Sequence, residues 1–392
     1  MFFGGYELRC IFGIGKEGGG CGKPPIKSDM RNSPSIPGKI IMKLKFVYWF
    51  AYYNLDSPSV RYRGQYPMGF LKDHYHINSY FVYPSYKLNN VLLFTKAYFS
   101  ALFFRKPNSI IVVQRINSNF IYANLLKLLV KLRKANTIYD IDDADYLEYP
   151  TKTIYFFSKN CSKISVGSRE LVKNLSKFNN HILLNTSPTP DLKIVKGNKN
   201  TLLTIGWIGG YGGDHKVSLL NNFFPALKDL PFKVRLILLG VADKAEYEFL
   251  TKHFEQYANV ILEMPQGINW TDETDVQNRI ACFDIGIATL VDNEMHRSKS
   301  AFKAKQYLNN GIPVLSADIP ENNLFVEHSK NGFLCSTPAE FRQRILEFNE
   351  ISQNHYKVFS NNARNSIPNF NLTKYSENLI ASFESRNIER IT

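Results

Sequence analysis

Lys299, Lys303 and Gln306 fall at intervals of four and three residues. On a helix they would share one stripe, because positions three and four apart lie one above the other. Two lysines in the first turns of a helix repel each other and oppose the helix dipole, by a few tenths of a kcal/mol each. An anion held at the helix N-terminus turns both terms favourable. The chemistry on offer is capture of a phosphate or diphosphate; the bland alternative is a solvated basic face. Three other groups invite the same question. Gly206 to Gly213 form a glycine-rich run, Gly-Trp-Ile-Gly-Gly-Tyr-Gly-Gly, in which Gly209 and Gly210 would let the backbone approach a phosphate. Its spacing is neither G-x-G-x-x-G nor a Walker loop. Asp140, Asp142, Asp143 and Asp145 lie in one short stretch, suited to a base, a hydroxyl-orienting group or a metal ligand, or simply to a solvated loop. Arg61 and Arg63 follow the first apolar run and could clamp an acidic acceptor, or could be an exposed basic loop.

These residues need elements to hold them. Apolar, β-rich runs are expected as strands at 40–50, 109–114, 137–141, 163–166, 181–184, 202–208, 234–239, 259–263, 285–289, 313–316 and 332–335. Helical patterns fall between them, among others at 119–133, 168–178, 215–230, 244–257, 271–282 and 299–310. For the last of these, Ser298 is the expected N-cap, and Asn309-Asn310-Gly311 followed by Pro313 is a stop signal. Alternation of strand and helix implies parallel sheets covered on both faces. A Pro-, Asn- and Lys-rich stretch at 186–200 interrupts it and divides the chain into two doubly wound α/β domains, 40–190 and 191–370, with a last segment at 371–392. Open parallel sheets bind ligands at the carboxyl ends of their strands, so two of them in series imply a cleft between facing domains.

Composition narrows the classes. The chain has 392 residues, 44% hydrophobic and 14% aromatic, enough apolar surface for two packed domains. Its net charge of +14 is attractive to phosphorylated small molecules, anionic lipid or nucleic acid. No nucleic-acid-binding motif accompanies the charge, so nucleic acid is not an expected partner. The five cysteines, Cys10, Cys21, Cys161, Cys282 and Cys335, are widely spaced and form no C-x-x-C pair, which fits unpaired thiols in a reducing cytoplasm. No signal peptide and no apolar run of spanning length is visible. Residues 91–104 are apolar and aromatic with a basic edge at Arg105 and Lys106; they read either as a packed helix or as one lying on the inner face of an anionic membrane. Residues 1–39, with Gly18-Gly19-Gly20 and four prolines, read as a flexible tail or a start placed too early.

Together these pieces resemble the retaining glycosyltransferases of the GT-B fold, family-four type, over residues 42 to the C-terminus. The likeness rests on Asp284-Ile285-Gly286-Ile287-Ala288, on the stretch from Arg297 to Val314 and on Asn331-Gly332-Phe333-Leu334, with weaker echoes at Arg61-Tyr62-Arg63, Tyr139 to Asp143 and Gly206 to Gly209. It implies a nucleoside diphosphate sugar as co-substrate, no metal or other cofactor, and a glycan or lipid-linked acceptor, in the setting of envelope polysaccharides such as capsule or lipopolysaccharide. Lys299 and Lys303 would hold the diphosphate, with Gly209 and Gly210 beside it. Gln306 stands where relatives carry a ribose-binding glutamate. Ser298 replaces the partner glutamate, with Glu294 as a substitute. Asp142 would orient sugar or acceptor, and Arg61, Arg63 and Asp143 would face the acceptor. The last segment, near residues 370–386, would cross back onto the first domain. The rival readings are a nucleotide-sugar epimerase, a non-catalytic GT-B-like module binding nucleotide sugar or glycan, and a metal-dependent transferase using Asp140 and Asp142.

Overall fold

The computed structural model describes residues 43–116, 119–149, 151–191 and 194–384. The tail expected over residues 1–39 lies outside the described residues, as does the end of the chain from residue 385. The described residues belong to one compact unit.

Among them are two six-stranded parallel sheets. The first contains β1 Phe46–Phe50, β2 Asn78–Val82, β3 Ser109–Gln114, β4 Thr137–Ile141, β5 Lys163–Val166 and β6 Ile182–Leu184, in the order β2-β1-β3-β4-β5-β6. The second contains β7 Thr204–Ile208, β8 Val234–Leu239, β9 Val260–Glu263, β10 Ile285–Ala288, β11 Val314–Ala317 and β12 Gly332–Cys335, in the order β12-β11-β10-β7-β8-β9. The apolar runs become central strands because both their faces are covered. In β1, Phe46, Tyr48 and Phe50 enter one core with the helices Leu88–Phe103 and Phe120–Leu132. Val47 and Trp49 enter the opposite core with the helices Tyr66–Tyr75 and Leu372–Glu384. The last of these helices therefore returns from the second domain to the first, carrying Leu379 and Ile380 into that core. In β10, Gly286 is required by close packing: a Cβ there would lie 2.3 Å from the Tyr307 ring, whose hydroxyl donates to the Ile287 carbonyl at 3.1 Å.

Strand order reverses between β1 and β3 in the first sheet and between β7 and β10 in the second. At such a point the loops leave in opposite directions and open a crevice at the carboxyl edge. Loops following β1, β3, β4, β7, β10 and β11 carry the residues described below.

Several local expectations give way. Edge strand β2 was not anticipated: it pairs with β1 alone, and only Val82 of its five side chains is fully buried, so it lacks the apolar run that marks the others. The helix expected from residue 299 starts at Phe302, because Ala301 takes a left-handed backbone, φ 51°. Ser298 does not cap it; it closes the short helix Glu294–Arg297, its hydroxyl donating to the Glu294 carbonyl at 2.9 Å. Lys299 and Lys303 therefore do not share a helix stripe. The helix expected over 215–230 is a six-residue helix, Gly213–Ser218, followed by a wider turn Leu219–Phe223 and a tighter one Phe224–Leu227. Pro225 has no N–H with which to extend the helix ladder.

Candidate functional site

A cleft of about 420 Å³ opens between the two carboxyl edges, lined from both domains. The first domain contributes the loop after β1 (Tyr52, Ser57, Ser59), Arg115 after β3, and Asp142 and Asp143 after β4. Arg115 organises this wall. Its backbone is left-handed, φ 46°, immediately beyond β3, and its guanidinium lies 3.0 Å from Asp143, 3.4 Å from Asp142 and against Asp145. It also stacks over the Tyr52 ring at 4.7 Å. Asp142 is nearly buried and accepts from the Ser59 hydroxyl at 2.9 Å. Burial raises its pKa against the pull of Arg115. Burial would raise Asp143 too, but Lys299 and Arg115 outweigh it and hold that carboxyl below the usual range. Burial takes Asp145 up to about 6 despite Arg115.

The second domain contributes His215 after β7, Leu290 and the stretch from Lys299 to Ala304 after β10, and Asn322 after β11. The turn at Ala301 sends Lys299 across the cleft, where its Nζ is 3.7 Å from Asp143. Lys303, in the first turn of helix Phe302–Asn309, places its Nζ 3.2 Å from His215 Nε2. Lys303 also packs on Gly209, whose φ of 152° and proximity to Lys303 Cε, 2.9 Å from where a Cβ would be, leave no room for a side chain. Gly210 faces open space. Burial, reinforced by Lys299 and partly offset by Asp143, lowers Lys303 to about 7. Lys303 in turn, with burial, lowers His215 to about 2, so the imidazole is neutral and its Nε2 can accept from the ammonium. His215 Nδ1 is buried without a partner among the described residues.

The two lysines, Asp142, Asp143 and Gly209 thus come together; other candidates do not. Arg63 is completely enclosed. It donates from Nε to Asp140 at 2.8 Å and from Nη1 to the Asn185 carbonyl at 2.7 Å, and it lies over the Tyr375 ring. Arg61 is turned inward onto the carbonyls of Leu55 and Asp56, at 2.6 and 3.0 Å. Neither guanidinium is presented to the cleft, because each is consumed by protein acceptors. The Asp140 and Asp142 pair is likewise divided, one carboxylate held by Arg63 and the other by Ser59 and Arg115. Among the described residues no group of three or more His, Cys, Asp or Glu is placed to hold a metal ion. Glu294 is exposed on its short helix, outside the cleft lining.

Gln306 is buried in a ring of five side chains that joins the domains. Its Nε2 donates to Tyr62 Oη (3.4 Å), Tyr62 donates to Glu273 (2.7 Å), Gln277 donates to Glu273 (2.6 Å), and Asn310 Nδ2 donates both to Gln277 (2.5 Å) and to the Gln306 carbonyl (3.2 Å). Tyr62 comes from the first domain and also meets the Phe302 ring edge-on at 4.5 Å. An amide suits this position because the Tyr62 proton is already given to Glu273, leaving its oxygen to accept. Gln306→Glu is expected to oppose two carboxylates across one hydroxyl and weaken the domain contact by about 1–3 kcal/mol. Small-angle scattering should then show a more open particle at pH 8 than the wild type, with the difference shrinking on acidification.

Arg115, His215 and Tyr62 had not been singled out from the sequence. The available signal was position: Arg115 directly follows strand β3, and His215 stands two residues beyond the glycine-rich run. A further residue, Lys305, is fully buried and donates to Thr186 Oγ1 and the Ser187 carbonyl, both at 2.6 Å, fixing the inter-domain segment to the helix that carries Lys303.

No protein-family model matches the chain, and no curated protein matches its sequence. Its structure is similar to that of a glycosyltransferase from Rickettsia africae, with TM-score 0.62, 12% identity, and 88% of this chain and 100% of that one covered. It is similar to Anabaena HepE in complex with UDP-glucose, with TM-score 0.60, 12% identity, and coverage of 86% and 99%. It is also similar to the lipopolysaccharide outer core galactosyltransferase WaaB in its apo form, with TM-score 0.58, 13% identity, and coverage of 88% and 100%. The fold is thus the GT-B arrangement, two Rossmann-like domains facing across a cleft; the Rickettsia neighbour is a glycosyltransferase and WaaB a galactosyltransferase.

Proposed function

We propose that the protein transfers a sugar from a nucleoside diphosphate sugar to a hydroxyl of a glycan or lipid-linked acceptor, with retention at the anomeric carbon. The observation that carries this reading is the pair Lys299 and Lys303 beside the start of helix Phe302–Asn309 in the cleft, with Lys299 reaching Asp143 of the Arg115 carboxylate cluster. When the sugar–phosphate bond breaks, negative charge grows on the leaving diphosphate. Two ammonium groups and the N-terminal turn of a helix, all lining one cleft, would stabilise that charge with little reorganisation. The two carboxylates lining the cleft, Asp142 and Asp143, are both engaged by Arg115. The cleft therefore offers strong leaving-group stabilisation, and retention is proposed from the likeness of the stretch Arg297 to Val314 to the retaining enzymes. Asp142, steered by Ser59, is the group we assign to the acceptor or sugar hydroxyl. Envelope polysaccharide synthesis is the proposed setting, shared in kind with the neighbour WaaB.

UDP is the first nucleotide to test, since the HepE complex holds UDP-glucose. Calorimetric titration of UDP and GDP in the presence of a chelator should give micromolar binding of one of them, and transfer from the matching sugar nucleotide should yield product of unchanged anomeric configuration by NMR. Binding without turnover on any sugar or lipid acceptor would instead favour the non-catalytic module, to which Ser298 and the sequestered Gln306 lend support. Binding abolished by the chelator would point to a metal-dependent site.

A further inference from the structure

The first domain carries an apolar face that no other element among the described residues covers. Helices Leu88–Phe103 and Phe120–Leu132 lie side by side on one side of the first sheet, joined by the Phe94–Tyr122 ring contact at 5.2 Å and by Tyr98 donating to the Leu125 carbonyl at 3.1 Å. Their inner stripes are already in the core, through Ala97, Ala101, Leu126 and Val130. Their outer stripes are apolar as well. Leu92, Phe99 and Phe103 recur at helical spacing on the first, and Ile121, Leu128 and Leu132 on the second, all exposed. Phe120 and Ile121 are 79% and 73% exposed. Large apolar side chains recurring on an outer helix stripe, where the inner stripe is already buried, mark a surface that a partner covers.

Charge says what covers it. Residues 74–139 contain nine Lys or Arg and no Asp or Glu, in a chain whose total of Asp and Glu is 34. Lys87, Lys96, Lys131 and Lys134 are exposed at or beside the two helices. A second copy packed symmetrically on this face would bring lysines against lysines with no acid to separate them. An anionic lipid surface meets both features at once, acyl chains for the rings and phosphates for the lysines. No helix among the described residues is long and apolar enough to cross a membrane, so the contact would be peripheral.

We propose that this two-helix face docks the protein onto an anionic lipid bilayer. Both helices begin at the carboxyl ends of strands, β2 and β3, on the edge where the cleft opens, and Phe120 lies five residues beyond the cleft-lining Arg115. Docking there sets the mouth of the cleft beside the headgroup layer, within reach of an acceptor anchored in the same bilayer. The acceptor part rests on the proposed sugar transfer; the docking itself rests on the helices alone.

Co-sedimentation of the full chain with phosphatidylcholine vesicles, with and without phosphatidylglycerol, tests it. Binding is expected to the anionic vesicles only and to weaken with salt. Lys87→Gln/Lys131→Gln/Lys134→Gln should lower partitioning by about a hundredfold, at roughly fivefold per lysine. Leu92→Gln/Phe99→Gln/Leu132→Gln should abolish it, with nucleotide binding in the cleft serving as the folding control for both. Absence of wild-type binding, or binding untouched by both variants, overturns the proposal. So does a dimer by light scattering that the apolar variant dissociates, since a second copy would then occupy the face. Vesicle binding without nucleotide binding would leave docking standing and remove the transferase reading.

Discussion

Lys303→Ala is expected to lower turnover with the matching sugar nucleotide by about 100- to 1000-fold, the range seen when one preorganised group is removed from a site of developing charge. Most of that loss should appear in kcat. Lys303 is half-buried in the cleft wall, stands in the first turn of its helix, and is fixed by His215 and Gly209, so it costs little to organise when charge develops. Its pKa of about 7 gives a second signature. A bound diphosphate favours the ammonium form, so binding raises the pKa and takes up a proton wherever the free site is deprotonated. Below pH 7 Lys303 is already charged and affinity is flat with respect to this group. Above it, affinity for the donor falls by up to about tenfold per pH unit, until the pKa of the complex is passed. A sugar nucleotide is the right probe, because its diphosphate is a diester with no proton to lose near neutrality. Calorimetry in buffers of different ionisation enthalpy should detect the proton uptake at pH 8 and not at pH 6. Lys303→Arg remains charged throughout and should flatten the profile even if it binds less well. Unchanged turnover in Lys303→Ala would remove the lysine from the mechanism.

How far the sequence exposed this site depends on what kind of signal each residue leaves. Strands such as Ser109–Gln114 and Val234–Leu239 are legible to the residue, because burial on both faces demands an unbroken apolar run. The carboxyl-edge position of Lys303 and of Asp142 and Asp143 followed from those strands and their order of alternation. The relation of Lys299 to Lys303 was not legible. It depends on the left-handed turn at Ala301, and alanine carries no mark of positive φ, as glycine or asparagine would. The edge strand Asn78–Val82 was missed for the converse reason, that exposure relaxes the demand for apolar residues. Tyr62 and Gln306 form their contact across 244 positions of sequence, and no local pattern encodes a partner that far away. Arg61 and Arg63 leave a weaker kind of signal. Two arginines in a loop look like surface chemistry, and only the location of Asp140 and of the Asn185, Leu55 and Asp56 carbonyls shows that both are interior.

That interior position makes Arg63 the residue whose loss should harm the fold most. Removing one partner of a fully buried ion pair leaves the other charged and unsolvated, at a cost of about 3–5 kcal/mol. Here Arg63→Ala would strand the Asp140 carboxylate, the Asn185 carbonyl and the face of Tyr375 together. Those groups belong to β4, to the segment leading to the second domain, and to the returning helix Leu372–Glu384, so the loss strikes the junction of the whole molecule. A fall in melting temperature of roughly 10 °C is expected by calorimetry. Burial opposes the charge on Arg63, and Asp140 more than restores it, raising its pKa above the ordinary guanidinium value. The arginine is therefore charged at every accessible pH. The paired Arg63→Met/Asp140→Leu variant removes both charges and should recover most of the lost stability, since an apolar pair of similar volume is commonly as stable as a buried ion pair. If Arg63→Ala instead melts as the wild type does while turnover vanishes, the guanidinium must reach substrate in another arrangement of the domains, and the acceptor-binding role expected from the sequence would return. If neither changes, the junction is held by the apolar contacts of Leu379 and Ile380 with Val47 and Trp49, and the ion pair serves specificity of packing rather than its strength.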